Sequence, residues 1–540
     1  MTDLDPLSRF ALRHGTDKFG LHDYTPNYHA LLKDERMAPL RVLEIGIGGF
    51  TDPNSGGESL AMWRDYLPNA SILGIDIEPK TRDFGPRVTL AQGSQVDTVF
   101  LQRMIDEHGP FDLIIDDGSH QNAHVVESFE FLFPGLAAGG VYIVEDVQTA
   151  FFPGYGGSLD LTPPNSVGYF ADLMAALLAD EMPASEIAAM YRFHNIIALR
   201  KTGGDLTLPA AAGLARPEAR YLREAFEQLD DGAFLRIDTT QDTPDWVRDR
   251  FAEVDHREIA VHFPDAHPDP IARHIRSLYA QRGAVLLEKG PNDYPSNFAF
   301  DAAHPQVQDV VDKIRAAVEQ GATEHGLIYC GGLFDRAGRA DDFDWAAQQL
   351  SARGVSFATG FQFLLRHAQH TGDDARFMSL LEGAHAAFPA NATFAAQLAS
   401  LQLGKNRVED AAATVRHARA HGASSPQLSL RYSAILLRLG EFDAAEEEAA
   451  YGVKRKPANP SAWAALLRAQ IAQGRFETAE ETARRGLASC KQAPLLYAFL
   501  AECRTHLGNS DGALEAVEQG LSHDPQNVRL NRLRKDLKAA

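Results

Sequence analysis

A chain of 540 residues is longer than a single hydrophobic core usually supports, so two or three domains are expected. Apolar residues make up 45% of it and charged residues 23%, an ordinary composition for a globular protein that excludes a disordered chain. The formal net charge of -21 repels phosphate backbones and anionic lipid, so neither nucleic acid nor a membrane is expected as a partner.

The cysteines and the N-terminus both bear on the compartment. Cys330, Cys490 and Cys503 show no metal-ligand spacing, which is compatible with a reducing compartment. The first ten residues lack a basic start and an apolar run, and no stretch of ~18 apolar residues follows. These features predict a cytoplasmic protein.

Four short apolar runs alternate with helix-length segments early in the chain; they begin at Arg41, Ser71, Phe111 and Gly140. Buried strands that alternate with helices predict a doubly wound α/β domain with a parallel sheet. In such sheets ligands bind beyond the carboxyl ends of the strands, where the strand order reverses. The residues that end the runs are therefore the candidate site: Glu44 to Gly49, Asp76, Asp116 to His120, and Glu145 to Gln148.

Further candidate strands follow residue 160. Two of them could complete the far edge of the sheet, and the sequence does not distinguish between them: Phe193 to Arg200 and Gly283 to Gly290. Two more lie around Phe234 to Ile237 and Ile259 to Phe263. We expect a core domain over residues 1–205 and an accessory α+β extension over 206–305 that completes or covers the sheet.

A regular period of ~34 residues emerges in the alanine-rich C-terminal part, which predicts a helical domain over 306–540. Six turn positions share this spacing and define what we call the repeat register: Gly338, Gly372, Asn406, Gly440, Gly474 and Gly508. Small residues recur in it at Ala411, Ala445, Ala479 and Ala513, and prolines stand where hairpins should end, at Pro389, Pro457 and Pro525. The pattern resembles tetratricopeptide repeats, which form an all-α solenoid. The alternative is a generic alanine-rich bundle.

A glycine-rich loop follows the first predicted strand and reads Glu44-Ile-Gly46-Ile-Gly48-Gly49. Such loops let a ligand approach backbone N–H groups at the start of a helix. Thr51 occupies the position of the third dinucleotide-binding glycine, which argues against NAD or FAD. Asp76 is placed to accept both hydroxyls of a ribose; the alternative is that it caps the following helix. Ser94 could border an adenine ring.

Three longer motifs carry a family resemblance; they are Leu43 to Trp63, Asp116 to His120, and Val144 to Thr149, supported by Gly15 to Lys18, His22 and Tyr24. Together they resemble the magnesium-dependent sugar O-methyltransferases of macrolide biosynthesis, the mycinamicin type in particular, over roughly residues 10–205. The resemblance implies a Rossmann-like class I methyltransferase fold. It also implies that S-adenosylmethionine is held by Glu44, Gly46, Gly48, Ser59 and Asp76.

Two pairs of acids end neighbouring predicted strands: Asp116 with Asp117, and Glu145 with Asp146. The carboxyl ends of parallel strands meet at one edge of the sheet, and four acids there require a cation. Oxygen ligands suit a hard ion such as Mg²⁺. The resemblance assigns the metal to Asp117, Glu145 and Asp146 and leaves Asp116 closer to the cofactor. The alternative for each acid is a helix-capping role.

His120 lies three residues beyond Asp117, where its ring could reach a metal-bound substrate oxygen. A histidine titrates near ~6.5 and suits general-base catalysis, so His120 is the candidate base for removing the acceptor's proton. A lone histidine is more often structural, which is the alternative. Gly15 to Lys18, His22 and Tyr24 are expected to form an N-terminal helix or lid across the cofactor, with no assigned chemistry; the alternative is that they are ordinary surface residues. Gln148 and Tyr155 are expected to line an acceptor pocket.

The combined expectation is an enzyme that transfers a methyl group from S-adenosylmethionine to a hydroxyl of a sugar or glycoconjugate, with Mg²⁺. A catechol-like diol is the alternative acceptor, because it also binds a metal through adjacent oxygens. An adaptor with a non-catalytic methyltransferase-like domain is the alternative from another class. The repeats could present a concave surface to a protein or glycan. The oligomeric state, including a homo-oligomer, is left open by the sequence.

Overall fold

The computed structural model describes residues 4–204, 206, 208–215, 224–239, 243–255, 259, 263, 265–266, 270–290, 292 and 305–539. The chain forms two compact units, Met1–Arg353 and Gly354–Ala540. No helix within the described residues combines the length and apolar character needed to cross a membrane. The domain boundaries expected at 205 and 305 stay predictions.

The first unit is built on one sheet of eleven strands. In chain order they are β1 Arg41–Ile45, β2 Ser71–Asp76, β3 Val88–Gln92, β4 Leu113–Asp116, β5 Val141–Glu145, β6 Ile187–Phe193, β7 Ile196–Lys201, β8 Ala211–Ala215, β9 Phe234–Asp238, β10 Ile275–Gln281 and β11 Ala284–Lys289. Their spatial order is β3-β2-β1-β4-β5-β7-β6-β10-β11-β9-β8.

Strands β3, β2, β1, β4 and β5 are parallel to one another, and this half confirms the doubly wound α/β prediction. Four of these five strands are almost continuously buried, as apolar strands covered on both faces must be. The chain runs outward from β1 through β2 to β3 and then returns to β4 on the other side of β1. The strand order therefore reverses between β1 and β4, where ligands bind in such sheets.

The other six strands continue the same sheet. Strand β7 pairs antiparallel with β5, and β6, β10, β11 and β9 follow in antiparallel pairs before β8 adds a parallel edge. Both candidate edge strands of the sequence are therefore in the sheet, but neither is its edge. The candidate strand from Ile259 to Phe263 lies mostly outside the described residues, and Ile259 itself is helical.

Ten helices of the first unit are described along their length. They are α1 Pro6–His14, α2 Thr25–Leu32, α3 Glu58–Tyr66, α4 Thr98–His108, α5 Asn122–Leu132, α6 Ser166–Ala179, α7 Thr243–Glu253, α8 Pro305–Glu319, α9 Glu324–Arg336 and α10 Ala340–Arg353. Helix α1 packs against α2, α3, α8 and α9. The first hairpin of the repeat register, α9 and α10, therefore belongs to the same compact unit as the sheet.

The second unit is a series of antiparallel helices. They are α11 Ala358–His370, α12 Asp374–Ala387, α13 Ala392–Gly404, α14 Val408–Ala420, α15 Pro426–Leu439, α16 Phe442–Arg455, α17 Pro460–Ala472, α18 Phe476–Ser489, α19 Pro494–His506, α20 Ser510–His523 and α21 Val528–Ala539. Within the described residues of this unit no strand occurs, so the all-α prediction for the repeats is confirmed.

The turn residues of the repeat register share one backbone conformation. All six have a left-handed φ, from 59° at Asn406 to 78° at Gly440. Only glycine, and less often asparagine, adopts this conformation without a steric penalty. The four alanines of the same register, at 411, 445, 479 and 513, are completely buried between helices. The spacing therefore encodes a turn and a close helix contact in each hairpin.

Candidate functional site

A cavity of about 750 Å³ opens at the point where the strand order reverses. Its wall is formed by the loop between α1 and α2, the glycine turn after β1, the start of α3, the end of β2, the turns after β4 and β5, and one residue of α9. The lining residues are Gly15–Lys18, Leu21, Gly46–Thr51, Gly56, Glu58, Ser59, Asp76–Glu78, Asp117, Gly118, His120, Asp146 and Tyr329. Most of the predicted candidate residues therefore lie around one opening.

The glycine turn after β1 is tightly built. Gly46, Gly48 and Gly49 have φ values of 90°, 74° and 73°. A Cβ on Gly46 would lie 2.1 Å from the carbonyl oxygen of Asp117, so only glycine permits this approach of two strand ends. Helix α3 begins after the turn and brings Ser59 in its first turn to the wall. No atom lies within 4 Å of the place where a Cβ on Gly48 would stand, so the turn leaves open space for a ligand there.

Asp76 is held at the rim of the cavity by two backbone groups. One carboxylate oxygen accepts the N–H of Ile47 at 2.9 Å, and the other accepts that of Glu78 at 2.8 Å. No helix begins between Asp76 and strand β3, a segment that is fully described, so the helix-capping alternative is wrong. The carboxylate instead ties the end of β2 to the glycine turn and faces the cavity.

Lys18 supplies a cation among the acids, a role that the sequence did not predict. Its Nζ donates to Asp117 at 2.9 Å and to both oxygens of Glu145 at 2.7 and 2.6 Å, and Glu44 lies 3.7 Å away. The lysine side chain is buried. Burial by itself lowers the pKa of Lys18, but the carboxylates of Asp117, Glu145 and Glu44 outweigh burial and hold that pKa well above its ordinary value. The ammonium is therefore charged.

Glu145 and Glu44 lie behind the wall rather than on it. Glu145 is buried at the end of β5 and accepts a further hydrogen bond, of 2.7 Å, from the Tyr28 hydroxyl. Glu44 is completely buried, and neither of its carboxylate oxygens makes a hydrogen bond of normal geometry within the described residues. Burial raises the pKa of Glu44 to about 7. The carboxyl oxygens of Glu44, the nearer of them 3.7 Å from Nζ of Lys18, are therefore available to a hydrogen-bond donor.

Asp116 faces away from the cavity. Because successive side chains of a strand point to opposite faces, Asp116 and its neighbour Asp117 diverge. The carboxylate of Asp116 accepts hydrogen bonds from Gln95, Ser128 and the Tyr142 hydroxyl, at 3.0 to 3.3 Å. Ser94 is likewise off the wall, and its hydroxyl accepts the N–H of Val96. The assignment of Asp116 and Ser94 to the cofactor stays a prediction.

Asp117, His120 and Asp146 come together at the opening. Their potential ligand atoms all lie within 4.8 Å of one another. The Nε2 atom of His120 is 4.0 Å from Asp117 and 3.9 Å from Asp146, and the three side chains are 21 to 29% exposed. His120 and Asp146 both have a left-handed φ, of 55° and 53°, a strained conformation that is typical of functional sites. Two carboxylates and an imidazole facing a cavity can bind a divalent cation.

A tyrosine, an asparagine and a histidine hold Asp146 in place. Its carboxylate accepts hydrogen bonds from the Tyr24 hydroxyl and from Asn195, and His22 lies 3.9 Å away. Burial acts to raise the pKa of Asp146, but His22, His120 and Tyr24 outweigh it and hold the pKa below its ordinary value. Asp146 is therefore a charged acid at the cavity wall.

Sequence reasoning missed four side chains of the site: Lys18, Tyr24 and Tyr28, which form hydrogen bonds with the acids, and Tyr329, which lines the cavity. A signal existed for two of them, because Lys18 and Tyr24 belong to the motifs that carry the family resemblance. For Tyr28 and Tyr329 no pattern in the sequence pointed to the site. Tyr155, expected in an acceptor pocket, has its ring 6.5 Å from that of His120, and Gln148 is buried.

Comparisons with known proteins find relatives for two parts of the chain, the N-terminal methyltransferase-like part and the C-terminal repeats. A family model described as "Tetratricopeptide repeat" matches residues 460–503. The 8-demethyl-8-(2-methoxy-alpha-L-rhamnosyl)-tetracenomycin-C 3'-O-methyltransferase of Streptomyces olivaceus is 46% identical over 186 residues, which are 34% of this chain and 48% of that protein. The mycinamicin VI 2''-O-methyltransferase of Micromonospora griseorubida is 40% identical over 212 residues, 37% of this chain and 53% of that protein.

A solved methyltransferase from the mycinamycin biosynthetic pathway, in complex with Mg, SAH and mycinamycin VI, is 39% identical; the match covers 38% of this chain and 57% of that one, with a TM-score of 0.35. The chain spans about half the length of the curated relatives it matches. Both resemblances seen in the sequence are therefore confirmed: over about a third of its length the chain is similar to sugar O-methyltransferases, and a C-terminal segment matches a tetratricopeptide repeat.

Proposed function

We propose that the first unit is an S-adenosylmethionine- and Mg²⁺-dependent O-methyltransferase that acts on a hydroxyl of a sugar or glycoconjugate, in the cytoplasm. The observation that carries the proposal is a single cavity whose wall holds the glycine turn, Asp76, and the cluster of Asp117, His120 and Asp146. The relative that is 46% identical over this region is named as an O-methyltransferase of a rhamnosyl-bearing tetracenomycin, and the relative that is 40% identical as an O-methyltransferase of mycinamicin VI.

The donor is assigned to the β1–β2 side of the cavity. No atom lies within 4 Å of the place where a Cβ on Gly48 would stand, so a ligand can approach the backbone there, and Ser59 adds a hydroxyl at the start of α3. Asp76 offers carboxylate oxygens suited to ribose hydroxyls. S-adenosylmethionine carries an ammonium and a sulfonium, and the buried carboxyl group of Glu44, which makes no hydrogen bond of normal geometry within the described residues, favours a cationic ligand nearby. These residues fit the donor.

Mg²⁺ is assigned to the β4–β5 side. Asp117 and Asp146 offer oxygen ligands at the opening, which are the ligands that Mg²⁺ prefers. The third predicted ligand, Glu145, is bonded to Lys18 and Tyr28, so it can take part only by releasing them. When bound, Mg²⁺ lowers the pKa of an acceptor hydroxyl and orients it.

His120 is proposed as the general base. In methyl transfer the acceptor oxygen forms a bond to the methyl carbon while the carbon–sulfur bond breaks. The electron pair of the broken bond stays on the sulfur of S-adenosylhomocysteine. The hydroxyl proton passes to Nε2 of His120. This nitrogen lies about 4 Å from the carboxylates of Asp117 and Asp146, so the base stands beside the oxygens that are assigned to the metal. No hydrogen bond of normal length from the described residues occupies Nε2, which leaves it available to an acceptor.

The test is the variant His120→Ala, assayed for methyl transfer and, by calorimetry, for binding of S-adenosylhomocysteine. Loss of a general base costs about 10²–10⁴-fold in turnover. We expect that loss with unchanged binding, and no effect from the matched variant His108→Ala on the surface of α4. Unimpaired turnover by His120→Ala excludes it as the base.

The metal assignment has its own test. Chelation with EDTA should abolish methyl transfer, and added Mg²⁺ should restore it. Asp146→Asn should raise the Mg²⁺ concentration needed for half-maximal activity, because it removes a charged ligand from the cluster. Activity that is insensitive to the chelator removes the metal from the proposal.

The acceptor class is tested with labelled S-adenosylmethionine against a panel of nucleotide sugars, glycans and catechols, with and without Mg²⁺. Transfer to catechols alone would replace the sugar assignment by the diol alternative. An absence of binding of S-adenosylhomocysteine in a thermal-shift assay would favour the adaptor alternative. The repeat match at residues 460–503 supports a binding role for the second unit towards a protein or glycan, in addition to the enzyme.

A further inference from the structure

Helix α9 contributes to the wall of the donor cavity although it begins only at Glu324, far along the chain from the glycine turn. Its Tyr329 lines the cavity together with Thr16, Asp17 and Leu21 of the loop between α1 and α2. The helix belongs to the same compact unit as the sheet. It is also the first helix of the repeat register, a part of the chain for which the methyltransferase resemblance predicted no role.

The hydroxyl of Tyr329 bridges two backbone groups of this loop. It donates a hydrogen bond of 2.6 Å to the carbonyl oxygen of Phe19 and accepts the N–H of Leu21 at 3.1 Å. Burial, together with the nearby charge of Asp17, holds the pKa of the Tyr329 hydroxyl well above its ordinary value, so the hydroxyl keeps the proton that it donates.

The backbones of α9 and the loop also touch directly. A Cβ on Gly15 would lie 2.5 Å from the carbonyl oxygen of His325, and one on Gly326 would lie 2.3 Å from that of Arg13. The N–H of Thr323 donates to the same Arg13 carbonyl at 2.9 Å. Glycine at both positions permits this contact, which fixes the start of α9 against the end of α1.

The loop in turn places Lys18. The carbonyl oxygen of Lys18 accepts the N–H groups of Tyr24 and Thr25, at 3.0 and 3.2 Å, and Phe19 pairs with Asp23 in an isolated bridge. These contacts close a compact loop, with Lys18 at its start and Phe19 and Leu21 inside it. The two hydrogen bonds of Tyr329 therefore hold the segment that carries Lys18 to Asp117 and Glu145.

We propose that Tyr329 is a positioning residue of the donor site, holding the Gly15–Tyr24 loop so that the cavity is shaped for S-adenosylmethionine. This inference rests on the proposed function, since it assigns the donor to the same cavity. It predicts that a sheet domain ending before α9 lacks a complete donor site. The methyltransferase and the start of the repeats are then one functional unit.

The test is Tyr329→Phe in the full chain, with Tyr497→Phe as the matched control. Tyr497 lies on α19 in the second unit, where its ring stacks against His523. The two readouts are the Kd for S-adenosylhomocysteine by calorimetry and the melting temperature without ligand. Loss of the bridging hydroxyl leaves two buried backbone groups unpaired, and we expect Kd to rise about tenfold. Tyr497→Phe should leave Kd unchanged.

A second variant reaches the same loop by another route. Gly326→Ala forces α9 away from Arg13 and should also weaken binding of S-adenosylhomocysteine. A lower melting temperature with an unchanged Kd in both α9 variants overturns the inference, because it shows a merely structural role. If the wild-type chain itself does not bind S-adenosylhomocysteine, the proposed function fails, and the inference fails with it.

Discussion

The two compact units of this protein differ in what they bury. The first unit buries charged side chains, among them Lys18, Glu44, Asp116, Glu145 and Arg192. In the second unit no lysine, arginine, aspartate or glutamate is buried among residues 354–539; its buried residues are apolar or neutral polar, with two histidines. Buried charges are costly and persist only where each has a partner or a function. Among the described residues, the second unit is therefore packed without buried acidic or basic side chains other than histidine, whereas the buried charges of the first unit need partners.

The two units also differ in redundancy. Each buried charged residue of the first unit makes contacts that no other residue repeats. In the second unit, the turn glycine and the buried alanine recur at the constant spacing of the repeat register. One substitution should therefore remove a function from the first unit, and should weaken only one interface of the second. Four experiments test this comparison.

Lys18→Met should have the largest effect. It leaves the carboxylates of Asp117, Glu145 and Glu44 without their buried cation, and such a loss destabilises by about 3–5 kcal/mol. We expect calorimetry of the full chain to show a lower melting temperature for the first unit only, with hydrogen exchange assigning the transitions. Lys33→Met, at an exposed position, is the control. Equal melting temperatures of the first unit in the two variants would show that Lys18 does not balance the charge of these carboxylates.

Glu44→Gln should change how the stability of the first unit depends on pH. The pKa of Glu44 is raised from 4.5 to about 7 by burial, so the folded chain holds a proton that the unfolded chain has lost. Stability from this group is present below pH 4.5 and is lost as pH rises to about 7, at up to ~1.4 kcal/mol per pH unit. Denaturant unfolding at pH 5, 6, 7 and 8 should show a flatter decline for the variant. Identical pH profiles would contradict the raised pKa.

Ala479→Leu should destabilise the second unit by about 1–3 kcal/mol, because Ala479 is completely buried between helices and a larger side chain overpacks the contact. The control is Ala488→Leu, an exposed position on the same helix, α18. Binding of S-adenosylhomocysteine should be unchanged in both variants. Weakened binding in Ala479→Leu would mean that the two units are less independent than their burial patterns indicate.

Asn406 offers the smallest test, because it stands where five glycines stand in the same register. Its φ of 59° is tolerated by asparagine but costs alanine about 1 kcal/mol. We expect Asn406→Ala to lower the melting temperature of the second unit and Asn406→Gly to leave it unchanged or slightly higher. The reverse order would show that the side chain of Asn406 has a role beyond its backbone conformation.

The features that the sequence predicted correctly are those encoded by local or evenly spaced residues. The apolar runs predicted β1, β2, β4 and β5, and their terminal acids and glycines predicted where the cavity lies. The constant spacing of the repeat register predicted the turns and buried alanines of the hairpins. Such features depend on residues that are close in the chain or equally spaced, so the sequence displays them directly.

The partners within the site could not be predicted in this way. Lys18 meets Asp117 and Glu145 across 99 and 127 residues, and Tyr329 meets Phe19 across 310. Asp116 and Asp117 are neighbours in the chain, yet the pleat of the strand sends one into a buried network and the other to the cavity.

The sequence by itself determined the two architectures, the position of the site at the strand ends, and the acids available there. Only the tertiary structure decided which acids face the cavity, that a lysine lies among them, and that the first repeat helix closes the wall. The physical reason is that the pairing of buried charges depends on which distant segments come into contact. Periodicity along the chain does not indicate those contacts.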